Sequence, residues 1–269
     1  MKPTTISEQM MFNTVRLATN TGSGTGFFYN FHVNGKTYPT IITNKHVINN
    51  NPIEAVTFHL HLKDDDFSSS TSYQVTYAAN WIFHPTKDLC FCFVNPLFEQ
   101  VKQNIGKDVF YVPTEDSLLA TEDKLQELSA LEELVMVGYP IGLWDVQNNF
   151  PIFRKGFTAS HPALDFNEKG IGLVDMACFP GSSGSPIYIL NENGYSDKKG
   201  NHYFGSSRLL FIGVLFAGPN YNANGEIIVT TVPTQQSVHT QTPIMTNLGL
   251  YIKATELEEF RKIIKSNFA

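Results

Sequence analysis

The sequence predicts an all-β protein. Short runs rich in aromatic and β-branched residues recur along the chain, each bounded by Asn, Gly, Pro or Ser, and this pattern is typical of strands. Clear examples are residues 56–61, 73–77 and 89–94. With 269 residues the chain can bury a sizeable core, and all-β folds of this length commonly form one unit.

The C-terminal segment predicts the one clear helix, an α-helix over residues 255–265. Thr255 and Glu258 have the spacing of a capping box at its start. The apolar residues that share one helical face are Leu257, Phe260 and Ile264. We expect this face to dock on the second half of the fold. Residues 64–66, with the serines after them, and residues 191–201 are predicted to be exposed loops.

Residues 179–186, a stretch rich in Gly, Ser and Pro, carry the strongest functional signal. Ser183 lies on a bend between Gly181 and Gly184. Gly181 lets the backbone approach a substrate carbonyl closely, and the N–H groups of Gly181 and Ser183 can together hold a developing oxyanion. Ser183 is therefore a candidate nucleophile. Taken alone, the stretch is as compatible with an ordinary turn between two strands.

Two upstream segments supply the other groups that acyl transfer needs. His46 follows an apolar strand and a Thr-Asn-Lys turn, and Asp88 follows a His-Pro-Thr-Lys turn. The chain order His46, Asp88, Ser183 distinguishes it from hydrolases with the orders Ser, Asp, His or Asp, His, Ser. In this order the chain resembles the trypsin-like (chymotrypsin-fold) serine peptidases. It is most similar to the bacterial and intracellular branch with glutamyl endopeptidases and HtrA-type catalytic domains.

Four further segments resemble that family, and together they extend from about residue 10 to the end. They are residues 22–28, 137–140, 212–218 and 251–253. The resemblance implies two six-stranded antiparallel β-barrels, a chymotrypsin-like arrangement, with a C-terminal α-helix. It implies a single peptidase domain over residues 1–269. Its parts would be an N-terminal barrel at about 10–113, a partly helical linker at 114–133, a C-terminal barrel at 134–252 and the helix at 255–267.

The resemblance also assigns roles. His46 would act as general base, Asp88 would orient it, and Ser183 would form an acyl-enzyme, with the N–H groups of Gly181 and Ser183 as the oxyanion hole. Digestive members of the family carry an aspartate just before the nucleophile, where this chain has Ser182. We therefore expect no activation by N-terminal processing, and activity that is constitutive or controlled by a ligand, a regulatory protein partner or the substrate itself.

The substrate-binding residues implied by the family are Ala177, Cys178, Leu215, Phe216, Ala217 and Gly218. Relatives that cut after Lys or Arg carry an aspartate at the position of Ala177, and glutamate-selective relatives carry a histidine at that of Leu215. An uncharged residue at the cut is therefore expected. Strand 214–218 would pair with the backbone of an extended peptide.

Charge and cysteine content restrict the setting. A net charge of −6 without a Lys/Arg cluster argues against nucleic acid or an anionic membrane as partner, whereas a peptide or protein substrate is compatible. Cys90, Cys92 and Cys178 are odd in number, which favours reduced thiols. No segment has the apolar length of a signal peptide or a membrane span. The expectation is a cytoplasmic protein without a cofactor.

Several alternatives remain open at this point. His59 and His61 share one strand face near an acidic loop, which suggests a metal site, but a half-exposed strand beside a solvated loop is the commoner explanation, so no metal is predicted. The chain could also be a catalytically latent or inactive peptide-binding module of the same fold. A serine hydrolase acting on esters is the third alternative.

Overall fold

The computed structural model describes residues 1–227 and 238–268, where β-strands predominate, as predicted. The α-helices in this part of the chain are α1 (Ile6–Met11), α2 (Asn95–Ile105), α3 (Glu122–Gln126) and α4 (Leu257–Asn267). The longest of them have 11 residues each. None of the described helices is long and apolar enough to cross a bilayer.

The N-terminal half of the chain forms one curved sheet of nine strands. These are β1 (Thr14–Ala18), β2 (Ser23–Val33), β3 (Lys36–Thr43), β4 (Ala55–Leu62), β5 (Ser72–Ala78), β6 (Ile82–Phe83), β7 (Cys90–Phe93), β8 (Val109–Phe110) and β9 (Thr114–Glu115). The main path is β5-β4-β1-β2-β3-β7-β6, while β8 pairs with β4 and β9 pairs in parallel with β2.

This sheet is a half-barrel, which corrects the prediction of a second closed barrel. Its hydrogen-bonded path has two edges, β5 and β6, that do not pair with each other. The physical reason is that β5 and β6 follow one another along the chain, separated only by residues 79–81. In this connection the backbone N–H of Trp81 donates to the Pro52 carbonyl at 2.8 Å, so it adds no hydrogen bond between the two edge strands.

The C-terminal half forms a closed six-stranded antiparallel barrel, which confirms one of the two predicted barrels. Its strands are β10 (Glu133–Gly138), β11 (Ile152–Thr158), β12 (Ile171–Asp175), β13 (Pro186–Asn191), β16 (Arg208–Ala217) and β19 (Leu248–Lys253). They pair around the barrel in the order β10-β11-β12-β19-β16-β13. The segment from β12 to β13 contains Ser183, so the candidate nucleophile is carried by the closed barrel.

Two hairpins extend from this barrel. One joins β14 (Gly194–Ser196) to β15 (His202–Phe204), and the other joins β17 (Asn220–Ile227) to β18 (Val238–Met245). The first occupies the segment 191–201 and the residues just after it, where an exposed loop was predicted, so that segment is exposed but partly ordered as strand. Tyr195 and Tyr203 stack across it with ring centroids 4.8 Å apart.

Strand β2 is the element that joins the two halves. It has 11 residues and is buried on both faces. Because successive side chains point to opposite faces, Phe27 and Phe28 enter different cores. Phe27 packs against Phe211 of the barrel, with ring centroids 5.3 Å apart, whereas Phe28 lies in the interior of the N-terminal sheet. This two-sided burial fixes the position of one half against the other.

Helix α4 forms at the predicted place and packs against both halves of the chain. The Phe260 ring lies 4.8 Å from that of Phe91 and 6.4 Å from that of Phe31, both in the N-terminal sheet. Arg261 binds both carboxylate oxygens of Asp116, at 2.8 Å each. The apolar residues of α4 also share a core with Val214 and Ile252 of the closed barrel, so the helix contacts the N-terminal sheet in addition to the predicted second barrel.

Candidate active site

His46 and Asp88 are held together by two hydrogen bonds. His46 lies on a 3-10 turn, Lys45–Ile48, directly after β3. Its Nδ1 lies 2.5 Å from Oδ2 of Asp88, and its backbone N–H donates to the other carboxylate oxygen at 3.2 Å. The imidazole is 42% exposed and the carboxylate 29%, so both reach the surface. Since Nδ1 faces a carboxylate, this nitrogen carries the proton and leaves Nε2 as an acceptor.

Asp88 lies in the turn between β6 and β7. The backbone N–H of His84 donates to the carbonyl of Leu89 at 2.9 Å and closes this turn. The side-chain amide of Asn44 donates to the Asp88 carbonyl at 2.7 Å. The residues before His46 and those around Asp88 are thus tied together through backbone groups as well as through the two side chains.

Of the three serines in the loop between β12 and β13, only Ser183 reaches the surface. Ser182 and Ser185 are fully buried, whereas Ser183 is partly exposed. Ser182 takes part in a tight turn, its N–H donating to Phe179, and Ser185 bonds Thr25 through its hydroxyl. Among these three serines, only the hydroxyl of Ser183 is placed to meet a ligand. No hydrogen bond joins it to His46 in the described part of the chain.

Thr25 on β2 anchors this loop to the N-terminal sheet. Its backbone N–H donates to the Ser183 carbonyl at 2.9 Å, and its hydroxyl donates to the Gly181 carbonyl at 3.1 Å. The same hydroxyl oxygen accepts from the N–H of Tyr139 at 3.1 Å. A single buried threonine therefore links the loop that carries Ser183, strand β2 and the end of β10.

Gly184 is required for this close approach. Its φ is +85°, and a Cβ at this position would lie 1.9 Å from the Thr25 carbonyl oxygen. A side chain would thus have to adopt an unfavourable backbone conformation and displace β2 at the same time. The glycine on this side of Ser183 serves loop packing.

The peptide between Pro180 and Gly181 is oriented from outside the loop. The N–H of Ile141 donates to the Pro180 carbonyl at 2.5 Å, and Ile141 holds a φ of +54° to do so. In a trans peptide the carbonyl and the next N–H point in opposite directions. The N–H of Gly181 therefore points away from Ile141. Gly181 has a φ of +89°.

His46 and Ser183 line one cleft between the two halves, with a volume of about 310 Å³. The N-terminal half contributes Thr21, Gly22 and Ser23, and the opposite wall is formed by Pro180 and Gly181. The sequence motifs at 22–28 and 179–186 thus meet across one opening. The His46 and Ser183 side chains therefore border the same open volume.

A second cavity, of about 170 Å³, opens on the other side of Ser183. Four of the six predicted substrate-binding residues line it, namely Cys178, Leu215, Ala217 and Gly218. Phe179 and Pro180 complete the wall. Phe216 instead packs against the main core, and Ala177 is not among the described lining residues. Alternation along β16 explains the first difference, since Phe216 points opposite to its neighbours.

The walls of this second cavity carry no charged side chain among the described residues. Burial raises the pKa of the Cys178 thiol to about 12, so it stays protonated at neutral pH. The guanidinium of Arg154 lies 5.2 Å from the centre of the Phe179 ring, which forms part of the cavity wall. Its Nε is buried without a hydrogen-bond partner among the described residues.

The side chains of His59 and His61 both contact protein groups. Nε2 of His59 lies 3.1 Å from the Arg16 guanidinium, and Nε2 of His61 lies 3.0 Å from the Asn149 carbonyl. Within residues 1–227 and 238–268 no group of three His, Cys, Asp or Glu side chains is arranged to hold a metal ion. These histidines contact residues of both halves.

Three residues that shape the site were not singled out by the sequence analysis. They are Thr25, Ile141 and His84, and His84 accepts two backbone hydrogen bonds within the turn that carries Asp88. Each bonds backbone groups: Thr25 and Ile141 those of the Ser183 loop, and His84 those of its own turn. Thr25 lies within a quoted motif, and His84 precedes a proline, but neither signal indicates which distant group the residue contacts.

Several solved structures are similar to this chain. A mutant, inactive form of Rv3671c from M. tuberculosis is 14% identical, with a TM-score of 0.44, covering 96% of this chain and 88% of that one. A thermostable serine protease, AL20, from an extremophilic microorganism is 13% identical, with a TM-score of 0.47 and coverage of 96% and 100%. A scabies mite inactivated protease paralogue is 9% identical, with a TM-score of 0.45 and coverage of 96% and 97%.

No curated protein matches the sequence of the chain. The family described as the trypsin-like peptidase domain matches residues 24–194. These residues include nearly all of β2, with Thr25, the His46 and Asp88 turns and the whole Ser183 loop. Because the match extends over more than half of the sequence, the protein belongs to the trypsin-like peptidase domain family.

Proposed function

We propose that the protein is a serine endopeptidase that hydrolyses peptide bonds through His46, Asp88 and Ser183 and an acyl-enzyme intermediate. One observation carries this proposal. An imidazole bonded to a carboxylate and the one accessible serine of the 179–186 segment line the same cleft. Acyl transfer needs a nucleophile and a base in reach of one substrate carbonyl, and a carboxylate that orients the base; Ser183 and His46 line the cleft, and Asp88 bonds the imidazole.

In the proposed reaction Ser183 Oγ attacks the carbonyl carbon while its proton moves to Nε2 of His46. The bond from Nδ1 to Asp88 keeps Nε2 free to accept that proton and stabilises the imidazolium. The N–H groups of Gly181 and Ser183 stabilise the tetrahedral oxyanion. His46 then gives the proton to the leaving amine, and water releases the acyl group by the same steps in reverse roles.

The neutral cavity beside Ser183 is proposed to receive the residue that precedes the cut. Its volume and its Cys178, Leu215 and Gly218 walls suit a small or medium uncharged side chain. A charged side chain would lose its hydration there without an ion-pair partner on the walls. Strand β16 is proposed to pair with the substrate backbone.

Labelling with a fluorophosphonate probe, read by intact mass, tests the proposal. The wild-type protein is expected to gain one label, and Ser183→Ala and His46→Ala are expected to lose it, because the probe reacts only with an activated serine. Matched controls are Ser207→Ala and His202→Ala, which alter an exposed serine and an exposed histidine near the β14–β15 hairpin. Both controls should be labelled at the wild-type rate. Labelled protein would then be profiled on peptides that differ only in the residue before the cut.

The second candidate is a latent or inactive peptide-binding module. The absence of a hydrogen bond from Ser183 to His46 within the described residues favours it. It predicts a folded wild-type protein that binds an extended peptide without being labelled. Labelling that survives Ser183→Ala would overturn both candidates, since the reactive group would then lie elsewhere. A cytoplasmic location stays a prediction, supported by three buried free thiols.

A further inference from the structure

His84 is the most extensively bonded residue of the turn that carries Asp88. Its side chain has no exposed surface. Its Nδ1 accepts the backbone N–H groups of Thr86, at 3.2 Å, and Lys87, at 2.9 Å. Its Nε2 lies 3.2 Å from the Glu256 carbonyl oxygen. An imidazole that accepts at Nδ1 and donates from Nε2 is neutral and held in one tautomer.

The two N–H groups that His84 accepts belong to the residues just before Asp88. The rest of the turn is fixed by His84 as well, because its N–H donates to Leu89 and its carbonyl accepts from the Lys45 ammonium at 2.6 Å. His84 thereby ties the segment before Asp88 to the segment that carries His46. Without an acceptor at Nδ1, the buried N–H of Lys87 and the part-buried N–H of Thr86 would lose their partner.

The C-terminal half holds the same turn from the other side. The Lys87 side chain is only 8% exposed, and its ammonium binds the Glu168 carboxylate at 2.9 Å and the Lys169 carbonyl. The His84 ring packs edge-on against Phe260 of α4, with centroids 5.4 Å apart. The turn is therefore held by contacts with both halves while His84 keeps its present bonds.

On these grounds we propose that His84 is a positioning residue for Asp88: its neutral Nδ1 shapes the turn that presents the carboxylate to His46, and a proton on Nδ1 releases that turn. This inference rests on the proposed peptidase function for its effect on rate. The step is a plain protonation. The proton comes from water, and the Nδ1 lone pair that accepted two N–H groups becomes an N–H donor that repels them.

The charges around the ring influence the pH at which His84 takes up this proton. Burial lowers the pKa of His84, and the ammonium groups of Lys45 and Lys87 lower it further. The Glu256 carbonyl and the Glu259 carboxylate act in the opposite direction. The Glu256 carboxylate lies 3.7 Å from Nε2, and burial raises its own pKa. The neutral ring thus persists below the usual imidazole range, and the turn is released only in acid.

Two variants separate positioning from core packing. Asn can accept backbone N–H groups two and three residues ahead, as in an Asx turn, whereas Leu cannot but fills an apolar pocket better. If His84 positions Asp88, His84→Leu should lower the fluorophosphonate labelling rate by roughly a hundredfold, and His84→Asn should restore most of it. If His84 were only a core residue, the order would be reversed, with Leu tolerated and Asn harmful.

The acid dependence gives a second readout. The wild-type labelling rate should fall more steeply in acid than that of His84→Asn, because only the wild type carries the His84 ring whose protonation releases the turn. Equal slopes in the two proteins would overturn the proposal.

Histidine-selective ¹⁵N NMR keeps the inference testable whatever the activity. The wild type should show His84 as the neutral tautomer protonated at Nε2, together with a downfield proton from His46 Nδ1–H bonded to Asp88. That proton should vanish in His84→Leu and return in His84→Asn. If the wild type is never labelled, the peptidase proposal fails while these spectra still decide the role of His84. A His84 ring protonated at Nδ1 at neutral pH would overturn it, even if His84→Leu fails to fold.

Discussion

At the scale of single residues, Thr25 connects the most groups around the candidate nucleophile. Its hydroxyl contacts the Gly181 carbonyl, the Tyr139 N–H and the Ser185 hydroxyl, and it is completely buried. The residue stands in a Gly-Thr-Gly segment, and the flanking glycines have almost no room for a Cβ. The small flanking residues therefore allow the close packing in which the Thr25 hydroxyl reaches these groups.

We predict that Thr25→Val lowers the free energy of unfolding by about 1–3 kcal/mol, because it leaves a buried N–H without its acceptor. It should also slow fluorophosphonate labelling, since the Gly181 carbonyl loses its donor. Chemical denaturation and labelling kinetics measure the two effects. The matched control is Thr40→Val on β3, whose buried hydroxyl donates to the Tyr29 carbonyl at 2.8 Å, away from the cleft. Equal labelling rates in the two variants would contradict this role.

At the scale of elements, the same sequence pattern gives two different outcomes at helix starts. Thr5 and Glu8 form a complete capping box at the start of α1. Thr255 and Glu258 have the same spacing, yet α4 starts after Glu256 without a side-chain cap. The chain enters α4 through a 3-10 turn, Ala254–Glu256, whose geometry is set by packing, so Thr255 lies inside a turn. The predicted cap at Thr255 is therefore wrong.

Helix α2 was not predicted from the sequence, although its ends carry helix start and stop signals. A proline stands in its first turn, and Gly106 ends it with a φ of +70°. Leu97 and Val101 are spaced by one turn and are buried. These start and stop signals are sufficient to predict the helix.

The loop between β12 and β13 depends on glycine in a way that can be measured. Gly184→Ala should cost about 3–5 kcal/mol, because it combines an unfavourable φ with a clash against β2. Gly106→Ala is the matched control, since Gly106 shares the positive φ but has open space around it, and it should cost only about 1 kcal/mol. Denaturation midpoints of the two variants check this. A similar cost in both would mean that the close contact with β2 contributes nothing.

At the scale of the whole molecule, acid should weaken the contact between the two halves. His61 on β4 is 6% exposed and donates to the Asn149 carbonyl of the other half. Burial lowers its pKa to about 4, and burial together with the Arg16 charge lowers that of His59 to about 4. The unfolded chain therefore takes up protons first, and stability is lost as pH falls from about 6.5 toward 4.

For His61 alone this loss should reach about 3 kcal/mol at pH 4. His61→Phe keeps the aromatic contacts with Phe12 and Phe150 but cannot be protonated, so its stability should depend less steeply on pH. Unfolding free energies between pH 7 and pH 4 measure the difference, with His202→Phe on the exposed β15 strand as control. A parallel pH dependence in wild type and His61→Phe would exclude His61 as the source.

The sequence was informative where function depends on local patterns and silent where it depends on distant contacts. The all-β class, a closed C-terminal barrel and the trypsin-like family follow from strand patterns and short motifs. The open edge between β5 and β6 could not be predicted, because it depends on which strands pair at the two ends of the sheet. That Thr25 meets Gly181, or that His84 shapes the Asp88 turn, requires knowing which segments touch. The roles assigned to His46, Asp88 and Ser183 stay predictions.

The strand order of the closed barrel has a consequence for the timing of synthesis. β19 lies between β12 and β16 in the barrel, yet it is the last of these strands in the chain. The ribosome adds about 5–20 residues per second, so the Ser183 loop exists for seconds before its barrel can close. During that interval the nascent chain contains His46, Asp88 and Ser183, but the barrel that carries the Ser183 loop is not yet closed. The candidate site can therefore be assembled only after β19 has been made.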